Sequence, residues 1–229
     1  MIKFNLVVGD LADQKADAIV TAATEDLGPV SPYYADLFDK AGPELFSDII
    51  ENGHVCEVGD ALVTKAFDLK AEVIVHAVPP RLEADEDIWM VLLATYANAV
   101  ITGCEEGGAT SIVIPPLGLE EDTKDIQALA TIAYDGIFLG IGQCRGIKEV
   151  TLCMPNEIAA YHFKHVFKAE LENGWSFAPD CPKCGKPAMS ITYGLPTHRD
   201  FMDPNFYSGG CIIREDNPEW ACRACEVEF

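Results

Sequence analysis

Basic residues are scarce in this chain: sixteen lysines and arginines stand against thirty-seven acids across 229 residues, a formal net charge of −21. Neutralising nucleic-acid phosphates takes clustered cations, so this balance argues against a nucleic-acid partner. Also missing is an unbroken apolar run of about eighteen residues, the length a membrane-spanning helix needs, and no membrane contact is expected. The opening MIKFNLVVGD shows no basic segment followed by a hydrophobic stretch and a small-residue cleavage site. A protein that stays in the cytoplasm is expected.

What is present is globular. About half of the residues are apolar, spread through periodic segments, enough for a real core. The length suits one full α/β domain and a smaller module, here expected at 1–174 and 175–229. Up to Trp175 the chain carries 11 bases against 29 acids, and beyond it 5 against 8. The acidity therefore belongs mainly to the larger part, where solubility accounts for it. Nine cysteines do not imply secretion, because four form two CxxC pairs near the C-terminus and the rest are scattered singly.

Residues 2–8, IKFNLVV, alternate and then become fully apolar, which predicts a strand, and ADAIVTAA predicts a second one covered on both faces. Helical spacing from Pro32 to Asn52, interrupted at Gly42 and Pro43, predicts two helices ending near Gly53. GDALVTKAF and EVIVHAV predict two more strands, the second closed by Pro79 and Pro80. A long helix from about Asp85 to Glu106, a strand TSIVIP, a helix over 123–143, a strand EVTLCM and a last helix over 156–172 complete the pattern. Strands alternating with helices imply a mainly parallel sheet with helices on both faces, and ligands then bind beyond the carboxyl ends of the strands.

In this order the segments GDL, ADAIVTAAT, AG at 41 and 42, GDALVTKAFDL, VIVHAVPP and TSIVIPPLGLE resemble those of macro domains, over about Ile2 to Phe167. The resemblance implies a three-layer fold with a mainly parallel or mixed six-stranded sheet and a pocket for ADP-ribose or a related nucleotide. It implies ligand contacts at Asp10, Leu11, Ala22, Thr24, Pro116, Leu117, Gly118 and Leu119. Asp10 is the residue that would accept from an adenine amino group; the alternative is that it caps the chain after the first strand. Both readings stand at this point.

Three places depart from the family pattern. Thr21 and Thr24 stand where the second strand usually ends in an asparagine pair, and a threonine hydroxyl has less reach than a carboxamide. The stretch LGPVSPYYADLF has one glycine and two prolines where a glycine-rich loop usually cradles a pyrophosphate. After SIVIPP, the segment LGLEEDTKD keeps Gly118 and adds Glu120, Glu121, Asp122 and Asp125. Those acids read as helix-dipole and solvating charges, with a cation site or acid–base pair as the alternative. His76 lies in an apolar strand and reads as a core residue; His54 near Cys56 lacks a third catalytic partner; His162 and His165 share a helix face and read as surface.

Cys181, Cys184, Cys222 and Cys225 suit a tetrahedral zinc in a ribbon-like module small enough to need such a staple, with iron as the alternative metal. Cys211 reads as a spare thiol. Trp175, Phe177 and Trp220 either dock the module or fill its own small core. Three functions are carried forward: a binder of ADP-ribose or a related nucleotide, an ADP-ribosyl or phosphoester hydrolase, and a protein-interaction scaffold with a closed pocket.

Overall fold

A computed structural model describes residues 1–81, 87–119, 123, 125–175, 181–186, 188–194, 207–210, 217–222 and 224–229. The chain forms two compact units, Met1–Trp175 and Ser176–Phe229.

The larger unit is built on six strands: β1 Lys3–Val8, β2 Ala18–Ala22, β3 Ala61–Lys65, β4 Val73–Ala77, β5 Ser111–Ile114 and β6 Glu149–Met154. Their order across the sheet is β1-β6-β5-β2-β4-β3. All neighbours run parallel except β3, which pairs antiparallel with β4 at the edge. The link from Lys65 to Val73 is too short for the crossover of about a dozen residues that a parallel pair requires. All five residues of β2 are buried, as a central strand covered on both faces should be.

Among the described residues of this unit are the α-helices α1 Pro32–Ala41, α2 Pro43–Asn52, α3 Asp87–Glu105, α4 Ile126–Cys144, α5 Glu157–Val166 and α6 Lys168–Asn173. Gly42, at φ 90°, separates α1 from α2, and Gly53 ends α2 in the left-handed region at φ 60°. Asp125 and Asn156 cap α4 and α5 by accepting from the amides of Ala128 and Ala159. The helix expected over 156–172 is broken at Phe167. There the chain turns its ring, fully buried, among Phe4, Tyr134, Phe138 and Phe163. Tyr134 also donates a 2.9 Å hydrogen bond to the buried carboxylate of Glu170.

The Ile88–Glu105 stretch of α3, though interrupted by polar residues, has the length and mean hydropathy, 1.3, of a membrane span. Its apolar residues Leu92, Tyr96, Ala99 and Val100 are buried, and the helix packs on α4 and the sheet. Small residues bring α3 and α4 together. A Cβ at Gly136 would stand 2.6 Å from the Leu93 carbonyl oxygen, and one at Gly140 would stand 2.7 Å from that of Ala97. The two backbones meet directly at those glycines. Trp175 closes this unit: its backbone bridges Ile2 and its ring meets Phe138 edge-on at 5.1 Å.

The smaller unit carries β7 Met189–Thr192, β8 Tyr207–Ser208, β9 Trp220–Cys222 and β10 Val227–Glu228 in the order β10-β9-β7-β8. The β7–β9 and β9–β10 pairs are antiparallel and β7–β8 is parallel. Phe177 and Cys211 lie outside the described residues.

Candidate functional site

Parallel strands leave a crevice past their carboxyl ends, and a cavity of about 960 Å³ occupies that place. Ala23, Thr24 and Glu25 follow β2; Val78, Pro79, Pro80 and Arg81 follow β4. Pro116, Gly118 and Leu119 follow β5, and Pro155 and Asn156 follow β6. The start of α1 supplies Ser31, Pro32, Tyr33 and Tyr34.

Much of this wall is tied to itself. The Thr24 hydroxyl meets the Asp26 carboxylate at 2.5 Å and accepts from the Gly28 amide at 2.9 Å, while the Thr24 amide donates to the Gly28 carbonyl. The Thr24 hydroxyl holds the Asp26 carboxyl below its ordinary value. Leu27, fully buried at φ 59°, anchors the turn from below. The loop after β5 is pinned by two buried phenols: Tyr34 donates to the Pro116 carbonyl at 3.2 Å and Tyr96 to that of Leu117 at 3.3 Å. Burial raises both phenols well above their usual range, so they stay protonated donors.

A model of the macro domain family matches residues 20–133. A macro domain-containing protein of Streptomyces coelicolor is 31% identical over 142 residues, covering 60% of this chain and 83% of its own length. This chain belongs to the macro domain family. A second relative, O-acetyl-ADP-ribose deacetylase 1 of Pantoea vagans, is 28% identical over 66% of this chain and 91% of its own. Among solved structures, the Oceanobacillus iheyensis macrodomain with ADP superposes at a TM-score of 0.63 and 25% identity, covering 73% of this chain and 90% of its own. A mutant of the same macrodomain solved with ADPR superposes at 0.62 and 26% identity, with 73% and 93% covered.

Within this macro domain the expected contact residues separate into two groups. Thr24, Pro116, Gly118 and Leu119 lie on the cavity wall, whereas Asp10, Leu11, Ala22 and Leu117 do not. Leu11, Ala22 and Leu117 are fully buried. Asp10 makes the capping contact: one carboxylate oxygen accepts from the Ala12 amide at 2.9 Å and the other from the Lys40 ammonium. Burial pushes the Asp10 carboxyl up, but the Lys40 and Ala12 hydrogen bonds outweigh it and hold the group below its usual value.

Sequence reasoning missed Tyr33, Arg81 and Asn156. Tyr33 and Asn156 sit at the starts of α1 and α5, where an aromatic reads as core and an asparagine as a cap. Arg81, the last described residue after β4, follows the proline pair that the strand reading did use. His76 is fully buried, with Nε2 2.9 Å from the Thr64 hydroxyl and its ring edge-on to Phe38. Burial pushes its pKa down to about 3, so it is a neutral core residue. His54 faces Asp48 at 3.7 Å, and His162 bonds Gln127 at 3.2 Å. Of the acids after β5, Glu120, Glu121 and Asp122 lie outside the described residues.

The smaller unit gathers the second candidate site. The Sγ atoms of Cys181, Cys184, Cys222 and Cys225 all lie within 4.8 Å of one another, with contacts of 3.4 to 3.6 Å. Those contacts are far too long for a disulfide of about 2.05 Å. They are close to the edge of about 3.8 Å that four sulfurs at about 2.3 Å from one tetrahedral ion would form. The Lys183 amide donates to Cys181 Sγ, and Gly185, at φ 69°, lets the chain turn back so that its amide reaches the Cys181 carbonyl. In the second pair the equivalent position is Glu226, held at φ 52°. The spacing of the four-cysteine group is one that can hold a metal ion.

Proposed function

We propose that the larger unit binds ADP-ribose or a related nucleotide derivative in the cavity beyond β2, β4, β5 and β6. The observation that carries this reading is the position of that cavity in a macro domain fold. Solved neighbours with 25–26% identity carry ADP or ADPR. Calorimetric titration of the full chain with ADP-ribose, ADP and AMP tests it: saturable heats with at least one ligand support the assignment, and none with any of them removes it.

Binding without turnover is the expected mode. The Thr24 hydroxyl stands where the family usually places a carboxamide beside the distal ribose, and it is engaged by Asp26 and Gly28. The deacetylase relative gives a specific reason to assay hydrolysis as well: release of acetate from O-acetyl-ADP-ribose would replace the binder with an enzyme.

We further propose zinc in the four-cysteine site. Soft thiolates at tetrahedral spacing with no open position fit a structural zinc, and iron fits the same ligands. Metal analysis of purified protein decides between them: one zinc per chain supports the assignment, a red iron chromophore replaces it, and neither metal removes it.

A further inference from the structure

Cys104 and Cys144 stand far apart in sequence, and the fold sets them side by side. Cys104 lies in the last turn of α3, and Cys144 is the last residue of α4. The two helices run the same way, because each returns the chain between parallel strands of one sheet. Their seam repeats every four residues. A Cβ at Gly136 would stand 2.7 Å from Tyr96 Cβ, and one at Gly140 would stand 2.8 Å from Val100 Cβ. Residues four apart share a helix face, so the next rung, four residues further along both helices, is Cys104 opposite Cys144. A disulfide needs Cβ atoms about 3.5 to 4.5 Å apart. Both glycine rungs are closer than that, so the seam can open by about 1 Å toward the helix ends and still keep the third rung within bridging distance.

The side chains do meet. The Cys144 thiol hydrogen-bonds the Cys104 side chain; burial pushes that thiol up to about 11, and this bond adds to the rise. Past Cys144, Arg145 turns the chain at φ 54° and brings Gly146 against Cys104. A Cβ at Gly146 would run into Cys104 Sγ, so the sulfur is confined between α4 and the turn that ends it. Cys104 and Cys144 are half-buried and within reach of solvent, whereas Cys56 and Cys153 are buried.

We infer that Cys104 and Cys144 form a redox-active dithiol, which a low-molecular-weight disulfide oxidises to a bond that ties α3 to α4. In the first step the Cys104 sulfur, as thiolate, attacks one sulfur of the oxidant; a mixed disulfide forms and one small thiolate leaves. Cys144 then gives its proton to solvent and attacks Cys104 Sγ; the protein disulfide forms and the second small thiolate leaves. Two protein thiols are oxidised, the small disulfide is reduced to two thiols, and excess small thiol reverses both steps. Closing the loop between the two helices constrains the unfolded chain, so the oxidised protein is the more stable form. The bond involves no ligand of the cavity, and the inference stands apart from the nucleotide-binding reading.

The test treats the full-length, metal-loaded protein with oxidised glutathione, alkylates the remaining thiols and maps the tryptic peptides by mass spectrometry. Cleavage after Arg81, Lys124 and Arg145 leaves Cys104 alone in 82–124 and Cys144 alone in 125–145, so a bond between them joins two distinct peptides. Those two peptides are expected joined in the majority of chains. Oxidation should also raise the urea midpoint of the parent more than that of Cys144→Ser treated alike. Joined peptides in only a minority of chains, or a midpoint gain no larger than in Cys144→Ser, overturns the inference.

Discussion

Replacing a helical glycine by alanine ordinarily stabilises a helix by about 1 kcal/mol, and α4 offers three such positions with different surroundings. At Gly142 a new Cβ meets nothing within 4 Å, so Gly142→Ala is expected to add about 0.5 to 1 kcal/mol. At Gly140 it would stand 2.7 Å from the Ala97 carbonyl oxygen and 2.8 Å from Val100 Cβ. Both belong to α3 and neither can swing aside. The helices must part, and a gap of about 0.5 to 1 Å forfeits a quarter to a half of each seam contact. Overpacking of this kind costs about 1 to 3 kcal/mol against a propensity gain of about 1 kcal/mol, so Gly140→Ala is expected to lose about 0 to 2 kcal/mol and to fall below Gly142→Ala. Gly136→Ala, at 2.6 Å from the Leu93 carbonyl, should behave alike. Urea denaturation of the three variants, followed by helical circular dichroism, reads the difference. If Gly140→Ala shows the same gain in stability as Gly142→Ala, the direct backbone contact between α3 and α4 is wrong.

Three further outcomes follow from single groups. His76 has a folded pKa of about 3 against about 6.5 when unfolded, so the unfolded chain binds the extra proton as pH falls through that window. Stability should drop by about 2 kcal/mol between pH 7.5 and 5 on this account, a loss that His76→Gln, compared by urea midpoints at both values, should abolish. Tyr96→Phe removes the donor to the Leu117 carbonyl and should cost about 1 to 3 kcal/mol. Faster amide exchange at Gly118 and Leu119 than in the parent would show that the loop itself has loosened; unchanged exchange would refute the pinning role. Glu226→Gly places the residue that suits φ 52° in the second cysteine turn, and should stabilise the metal-loaded unit by about 0.5 to 1 kcal/mol, seen as a higher chelator concentration at half-loss of metal.

The strands were legible because each carries its own signal. The apolar run of β2 marks a strand covered on both faces, and Gly42 with Pro43 marks the break between α1 and α2. The cysteine group was legible for a different reason: two CxxC pairs in so short a module have the spacing of a four-thiolate site, and the four sulfurs do converge. The cavity was legible only in outline. The family pattern points to the loops after β2 and β5, but whether a loop residue faces inward or outward depends on partners distant in sequence. Asp10 depends on Lys40, thirty residues on, and Leu117 on Tyr96 from α3. Phe167 escaped notice because its periodicity continues that of α5, while its aromatic neighbours Phe4 and Tyr134 come from elsewhere in the chain.

Tyr96 belongs to two structures at once. Its Cβ sits where a side chain at Gly136 would intrude, at 2.7 Å, while its hydroxyl holds the carbonyl of Leu117 beneath the cavity wall. Displacing α3 by the width of one methyl group would therefore carry the far end of that ring with it and alter the shape offered to a ligand. Gly136 never approaches the cavity, yet its lack of a side chain sets where the wall stands. A search for variants with altered ligand preference should include this seam: the glycine in the back of the molecule acts as a shim for the pocket at its front.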